Sequence, residues 1–170
     1  MSETREKITG EVHIPSELSQ DVEKSVQNIS DLSERLKNTQ DTQVSEVFSL
    51  FLASALALEA SDIHLESLEQ GVKARLRIDG ILQDVGTIPS KLYEPLLSRI
   101  KLVSELKLNV SASAQDGRFS IKLGKAEIEV LTSMLPGPNG ESVVLRVLNP
   151  DAIAVEMELL GIHPKLLAII

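Results

Sequence analysis

The sequence predicts an α+β domain, a mixed and largely antiparallel sheet of about six strands with helices packed against it. Three observations predict it. Asp62 to Glu66, Val72 to Asp79, Phe119 to Leu123 and Ala126 to Val130 alternate polar and apolar residues, the period of strands with one buried face, and Ser142 to Leu148 reads as the last strand. Two stretches, about Val44 to Glu59 and Lys91 to Val103, place apolar residues at helical spacing. Between the strands, Asp79-Gly80, Gly124-Lys125 and Pro136 to Gly140 are hairpin signals. The resulting order is helix, three strands, helix, three strands.

Residues 1–43 form a polar arm and linker. Pro15-Ser16 opens a stretch in which Val22, Val26, Ile29, Leu32 and Leu36 make a narrow apolar stripe on a charged helix. Such a stripe docks on the following domain or pairs with a partner helix, and periodicity does not choose between them. Asn38 to Gln43 reads as linker and helix cap. Residues 44–150 make the main domain. Its first helix carries Val44, Val47, Phe48, Phe51, Ala55 and Leu58 on a broad core face. Val72, Ala74, Leu76 and Ile78 then alternate with Lys73, Arg75, Arg77 and Asp79, so one strand face is apolar and the other largely basic. The strand Ile81 to Ile88 returns from the Asp79-Gly80 turn, in which both residues tolerate positive φ. Pro89-Ser90 caps the second main helix, and Gln115-Asp116-Gly117 reads as a turn before the remaining strands. Residues 151–170, ending Leu166-Leu167-Ala168-Ile169-Ile170, read as a short helical connection toward something larger.

The chain has 170 residues, with 25 acidic against 17 basic side chains and a formal net charge of −8. Phosphate-backbone binding depends on lysine and arginine displacing counterions, so this charge disfavours a nucleic-acid coat. Aromatic residues are 2% of the chain, too few for the stacking platforms that hold single strands. Cysteine is absent, which excludes disulfides, thiolate metal sites and a cysteine nucleophile. The amino terminus lacks the apolar run of a secretory signal, and the most apolar stretch, Val47 to Leu58, is shorter than the roughly 20 residues of a membrane span. Together these predict a cytoplasmic protein without direct membrane insertion.

No catalytic set is evident. His13, His64 and His163 are scattered, and no metal site is expected. Asp62, His64 and Glu66 share one strand face, which reads as a solvated or interface face or as an acid/base pair. A phosphate-cradling loop requires Gly, four residues, then Gly-Lys-Ser/Thr; around Gly117 to Lys125 the fifth residue after Gly117 is Lys122 and Ala126 follows Lys125, so the motif fails. The remaining candidates are Arg75, Arg77, Arg99 and Arg118. Arginines on a strand face serve as surface ion-pair partners or as a fork for phosphate oxygens.

Five ordered motifs carry a resemblance. Ala60-Ser61-Asp62-Ile63-His64-Leu65-Glu66, Arg75-Leu76-Arg77-Ile78-Asp79-Gly80, Ser98-Arg99-Ile100-Lys101, Gln115-Asp116-Gly117-Arg118 and Gly140-Glu141-Ser142-Val143-Val144-Leu145-Arg146 occur in the order seen in secretion ATPases. These are the hexameric motors of type II secretion and type IV pilus assembly. The chain resembles their PAS-like N-terminal domain, which precedes the catalytic domain and its ATP-cradling loop. The resemblance implies that this chain alone is no enzyme and holds no cofactor, while ATP and Mg belong to the full-length protein. It implies nucleotide-phosphate contacts from Arg118, Arg75 and Arg77, and a domain or subunit interface at Asp62, His64, Glu66 and Arg99. The implied partners are the catalytic domain of the same motor, a homo-hexamer built with it, and an inner-membrane platform; the short chain is expected to be a monomer. Two departures stand out. Val110, Ser111, Ala112 and Ala114 replace a Glu, two basic residues and a Pro, and Leu131 stands where the family usually carries a phosphate-contacting arginine. A stand-alone PAS-like interaction or ligand-sensing module is the alternative.

Overall fold

A computed structural model describes residues 10–38 and 43–149. The elements are β1 (Glu11–His13), α1 (Ser16–Ser25), α2 (Ile29–Lys37), α3 (Val44–Ala57), β2 (Asp62–Leu68), β3 (Gly71–Ile78), β4 (Ile81–Ile88), α4 (Ser90–Val103), β5 (Gln115–Leu123), β6 (Ala126–Leu135) and β7 (Ser142–Leu148). All seven strands join one sheet in the order β1-β5-β6-β7-β2-β3-β4. Only the β1–β5 pair is parallel. The α+β class and the mostly antiparallel sheet are as the sequence predicts. The expected helical tail beyond residue 149 lies outside the described residues.

The strand alternation separates two faces. Ile63, Leu65, Ala74, Leu76, Phe119, Ile121, Val130, Met134, Val143 and Leu145 point to the helices and are buried. There they meet Val47, Phe48, Phe51 and Leu52 of α3 and Leu96, Ile100 and Val103 of α4. Phe48 and Phe119 stack at a tilt of 55°, with ring centroids 5.8 Å apart. The opposite face carries the charged residues.

The arm docks on this core. Val22, Val26 and Leu32 are fully buried or nearly so, α1 packs on α3, and α2 packs on β4. It contains two helices rather than one. The first ends at Ser25, and Asn28 starts the second with a capping box: its side chain accepts from the Asp31 N–H, while the Asp31 carboxylate accepts from the Asn28 N–H. That reciprocal cap satisfies two N–H groups that a new helix start leaves without intrahelical partners, which lets the chain break at Val26 and lay both apolar faces on the domain. The arm also supplies β1, the strand missing from the six-strand expectation. At three residues it is too short for alternation to reveal.

Two turns follow different rules. Asp79 and Gly80 adopt φ of 49° and 78°, as the hairpin reading requires. Gln115-Asp116-Gly117, by contrast, is the start of β5 and not a turn. Gly117 is needed for proximity: a Cβ there would lie 2.4 Å from the Ser104 carbonyl oxygen.

Candidate functional site

The open face of the sheet collects most of the residues singled out in the sequence. Across it, backbone register aligns Arg118 of β5, Leu131 of β6, Arg146 of β7, Asp62 of β2, Arg77 of β3 and Leu82 of β4. One step along, Ser133, Val144, His64, Arg75 and Asp84 form the next row. The period of two keeps alternate residues on one face, so the rows follow from strand pairing alone.

Asp62 is the centre of the first row. Its side chain is 2% exposed although it lies on the open face, because arginines cover it from both sides. Arg146 Nε donates to Oδ1 at 2.9 Å, Ser61 Oγ donates to Oδ2 at 2.8 Å, and Arg77 Nη1 stands 3.6 Å from Oδ2. Burial pushes the Asp62 carboxyl up, but the Ser61 hydroxyl and the Arg146 guanidinium outweigh it and hold the group below its ordinary value. Arg77 also donates from Nε to the Gly80 carbonyl at 3.3 Å.

In the second row Arg75 pairs with Glu66 at 2.5 Å, and its Nε is buried without a partner among the described residues. Lys73 pairs with Asp84 at 2.8 Å. His64 lies between Asp62 and Glu66 on its own strand and opposite Arg75. Burial lowers its basicity most; the Asp62 and Glu66 charges oppose that and Arg75 and Arg77 reinforce it, leaving the ring easier to deprotonate than usual. The arrangement presents guanidinium groups to solvent, and fork-shaped donors of this kind suit phosphate or carboxylate oxygens.

Arg118 is 77% exposed, and its one side-chain hydrogen bond or ion pair among the described residues is with Glu129 at 3.4 Å. Its strand end is held firmly nonetheless. Gln115 closes the loop after α4 by accepting from the Lys107 N–H at 3.0 Å and donating to the Lys107 and Val110 carbonyls, and Asp116 accepts from Ser133 Oγ at 2.7 Å. The Gln-Asp-Gly-Arg motif therefore places one arginine on a rigid strand.

Arg99 is elsewhere. It lies on the helical side, lining a cleft of about 380 Å³ with Glu11, His13 and Glu46, so the sheet face does not include it. Arg146 is the residue that sequence reasoning passed over. It was visible as the last member of the fifth motif, and its place opposite Asp62 depends on a β2–β7 pairing that residue spacing does not reveal. A second cross-chain link joins two motifs inside the fold: Lys101 Nζ donates to Glu141 Oε2 at 2.7 Å and to the Val110 carbonyl at 2.8 Å, with side chains 3% and 8% exposed.

Among the described residues no group of three or more His, Asp or Glu side chains could hold a metal ion, and no helix is long and apolar enough to cross a membrane. The chain is 34% identical over 140 residues to a type II secretion system protein E of Pectobacterium carotovorum, covering 82% of this chain and 28% of that protein. It is 33% identical over 156 residues to a type IV pilus assembly ATPase of Myxococcus xanthus, covering 91% of this chain and 28% of that protein. The chain thus spans little more than a quarter of the length of these relatives, and corresponds to their non-catalytic N-terminal domain. Among solved structures, the Legionella pneumophila ATPase DotB matches with a TM-score of 0.50 at 12% identity, over 72% of this chain and 34% of that one, which shows the shared fold. The profile of the family described as Type II/IV secretion system protein matches residues 37–170, and the chain belongs to that family.

Proposed function

We propose that this domain is the regulatory and oligomerisation module of a hexameric secretion or type IV pilus assembly ATPase. It supplies arginines to ATP held by the catalytic domain and moves relative to that domain as phosphate charge appears and is lost. One observation carries the reading: Arg118, Arg77 and Arg75 all lie on one open sheet face, on strands fixed by cross-strand pairing, with donors left over for a ligand. The residues fit phosphates but not a whole nucleotide. Guanidiniums match phosphate oxygens, whereas the chain has no phosphate-cradling loop and the described residues hold no group of three or more carboxylate or histidine side chains placed for a metal ion. When bound by the catalytic domain, ATP and Mg supply the phosphoryl chemistry; the domain described here supplies charge and position. Docking on an inner-membrane platform belongs to the assembled motor under the same reading.

The test is Arg118→Ala in a motor that carries this module joined to its catalytic domain. ATPase activity should fall severely, by about a hundredfold or more if Arg118 stabilises transition-state charge. The melting temperature should not change, because a side chain 77% exposed contributes little to the fold. Full activity in the variant would reduce Arg118 to a surface ion-pair residue.

A further inference from the structure

We propose that Arg146 is the central guanidinium of a single row that receives phosphate oxygens, and that Asp62 is the residue that positions it. The proposal rests on the reading of this face as a phosphate-facing surface and names a residue and a geometry which that reading lacks.

The row explains how distant arginines serve one ligand. Arg118 and Arg77 stand four strands apart, about 19 Å at the usual strand spacing. Between them Leu131, 39% exposed, offers no hydrogen bond. Arg146 stands midway, two strands from each, and an extended arginine reaches over a neighbouring strand. With it, the three side chains can close on one polyphosphate; without it, they act as separate points.

Arg146 is also held in the right way. Its contact with Asp62 is made by Nε alone, so among the described residues the two terminal nitrogens donate to nothing, and the side chain is 58% exposed. A carboxylate that grips the Nε edge leaves the Nη fork turned outward, the edge that binds phosphate bidentately. Burying a carboxylate is costly, and an apolar residue would serve the sheet better if packing were its only role. Other carboxylates of this face have partners of their own: Glu66 with Arg75, Asp84 with Lys73, Asp116 with Ser133 and Glu129 with Arg118.

Side-chain nitrogen–proton correlation spectra of this chain test the row, with inorganic tripolyphosphate at millimolar concentration as the probe. The Nε–H resonances of Arg77, Arg118 and Arg146 should move along one saturation curve. A purely structural ion pair would not respond. Arg146→Ala should weaken binding about tenfold, the loss expected for charge-assisted hydrogen bonds. Arg146→Lys should recover part of it, restoring the charge without the fork. Asp62→Asn should weaken binding with the fold retained by circular dichroism. Should that variant unfold, Ser61→Ala, which removes one bond to Asp62, should lower affinity by a smaller factor. Shifts at Arg77 and Arg118 with Arg146 unmoved and Arg146→Ala silent would overturn the row and leave the phosphate-facing surface standing. No shift at any of the three would overturn both.

Discussion

Replacing Lys101 by Met removes one ammonium from a site that water barely reaches. Lys101 and Glu141 are 3% and 8% exposed, their charges lie 2.7 Å apart, and Glu141 Oε1 already lacks a partner among the described residues. After the substitution both carboxylate oxygens are buried and unpaired. Breaking a buried pair from one side costs about 3–5 kcal/mol. The Val110 carbonyl is spared, since Gln115 still donates to it at 3.0 Å. A domain of this size has about 5–15 kcal/mol of stability in all, and each kcal/mol moves its melting point by about 2–4 °C. Lys101→Met should therefore lower the melting temperature by about 10 °C and shift the urea midpoint at constant m-value. The double variant Lys101→Met/Glu141→Leu should recover most of the loss, because a well-packed apolar pair dispenses with the desolvation of both ions. Urea titrations of the wild type, both single variants and the double variant measure the coupling. A single-variant cost below about 1 kcal/mol, or losses that simply add, would refute the buried-pair argument.

Two further outcomes are expected. Leu32 of α2 is fully buried, so Leu32→Ala should cost about 2–5 kcal/mol and leave one unfolding transition shared by the arm and the sheet; two separate transitions in calorimetry would show that the arm is an independent unit. On acidification the domain should lose stability in two steps, since both His64 and Asp62 take up a proton less readily when folded than when unfolded. The unfolded chain therefore binds more protons over both windows, below pH 6.5 for His64 and below pH 3.8 for Asp62, and stability falls with pH in each. Denaturation midpoints across this range check it, with His64→Gln flattening the upper step; rising stability on acidification would contradict the sign.

The elements were legible where a local pattern has a single structural meaning. Val72 to Ile78 alternates cleanly, and Asp79-Gly80 leaves the backbone one easy conformation, so β3, its turn and β4 follow from the residues. What escaped was set by partners far along the chain. The β1 strand is three residues that pair only because Ser120 to Lys122 lies beside them. The break at Val26 depends on the capping box of Asn28 and Asp31, which a continuous apolar stripe conceals. Gly117 looked like a turn because glycine in sequence signals positive φ or close approach without saying which, and here the Ser104 carbonyl decides. The site behaved likewise. Alternation put Arg75 and Arg77 on the polar side of their strand, but only the β2–β7 and β6–β7 pairings bring Arg146 between Arg118 and Arg77. Lys101 and Glu141 stood in separate motifs, 40 residues apart, with nothing local to join them.

Nucleotide titration by calorimetry, run on this chain alone and on the same module joined to its catalytic domain, tests the central claim most directly. The account predicts tight ATP binding by the joined protein, weakened by Arg118→Ala, and no tight binding by the chain alone, whose arginines meet phosphate oxygens only at millimolar concentration. Tight binding by the chain alone would contradict it and place a complete ligand site within this domain.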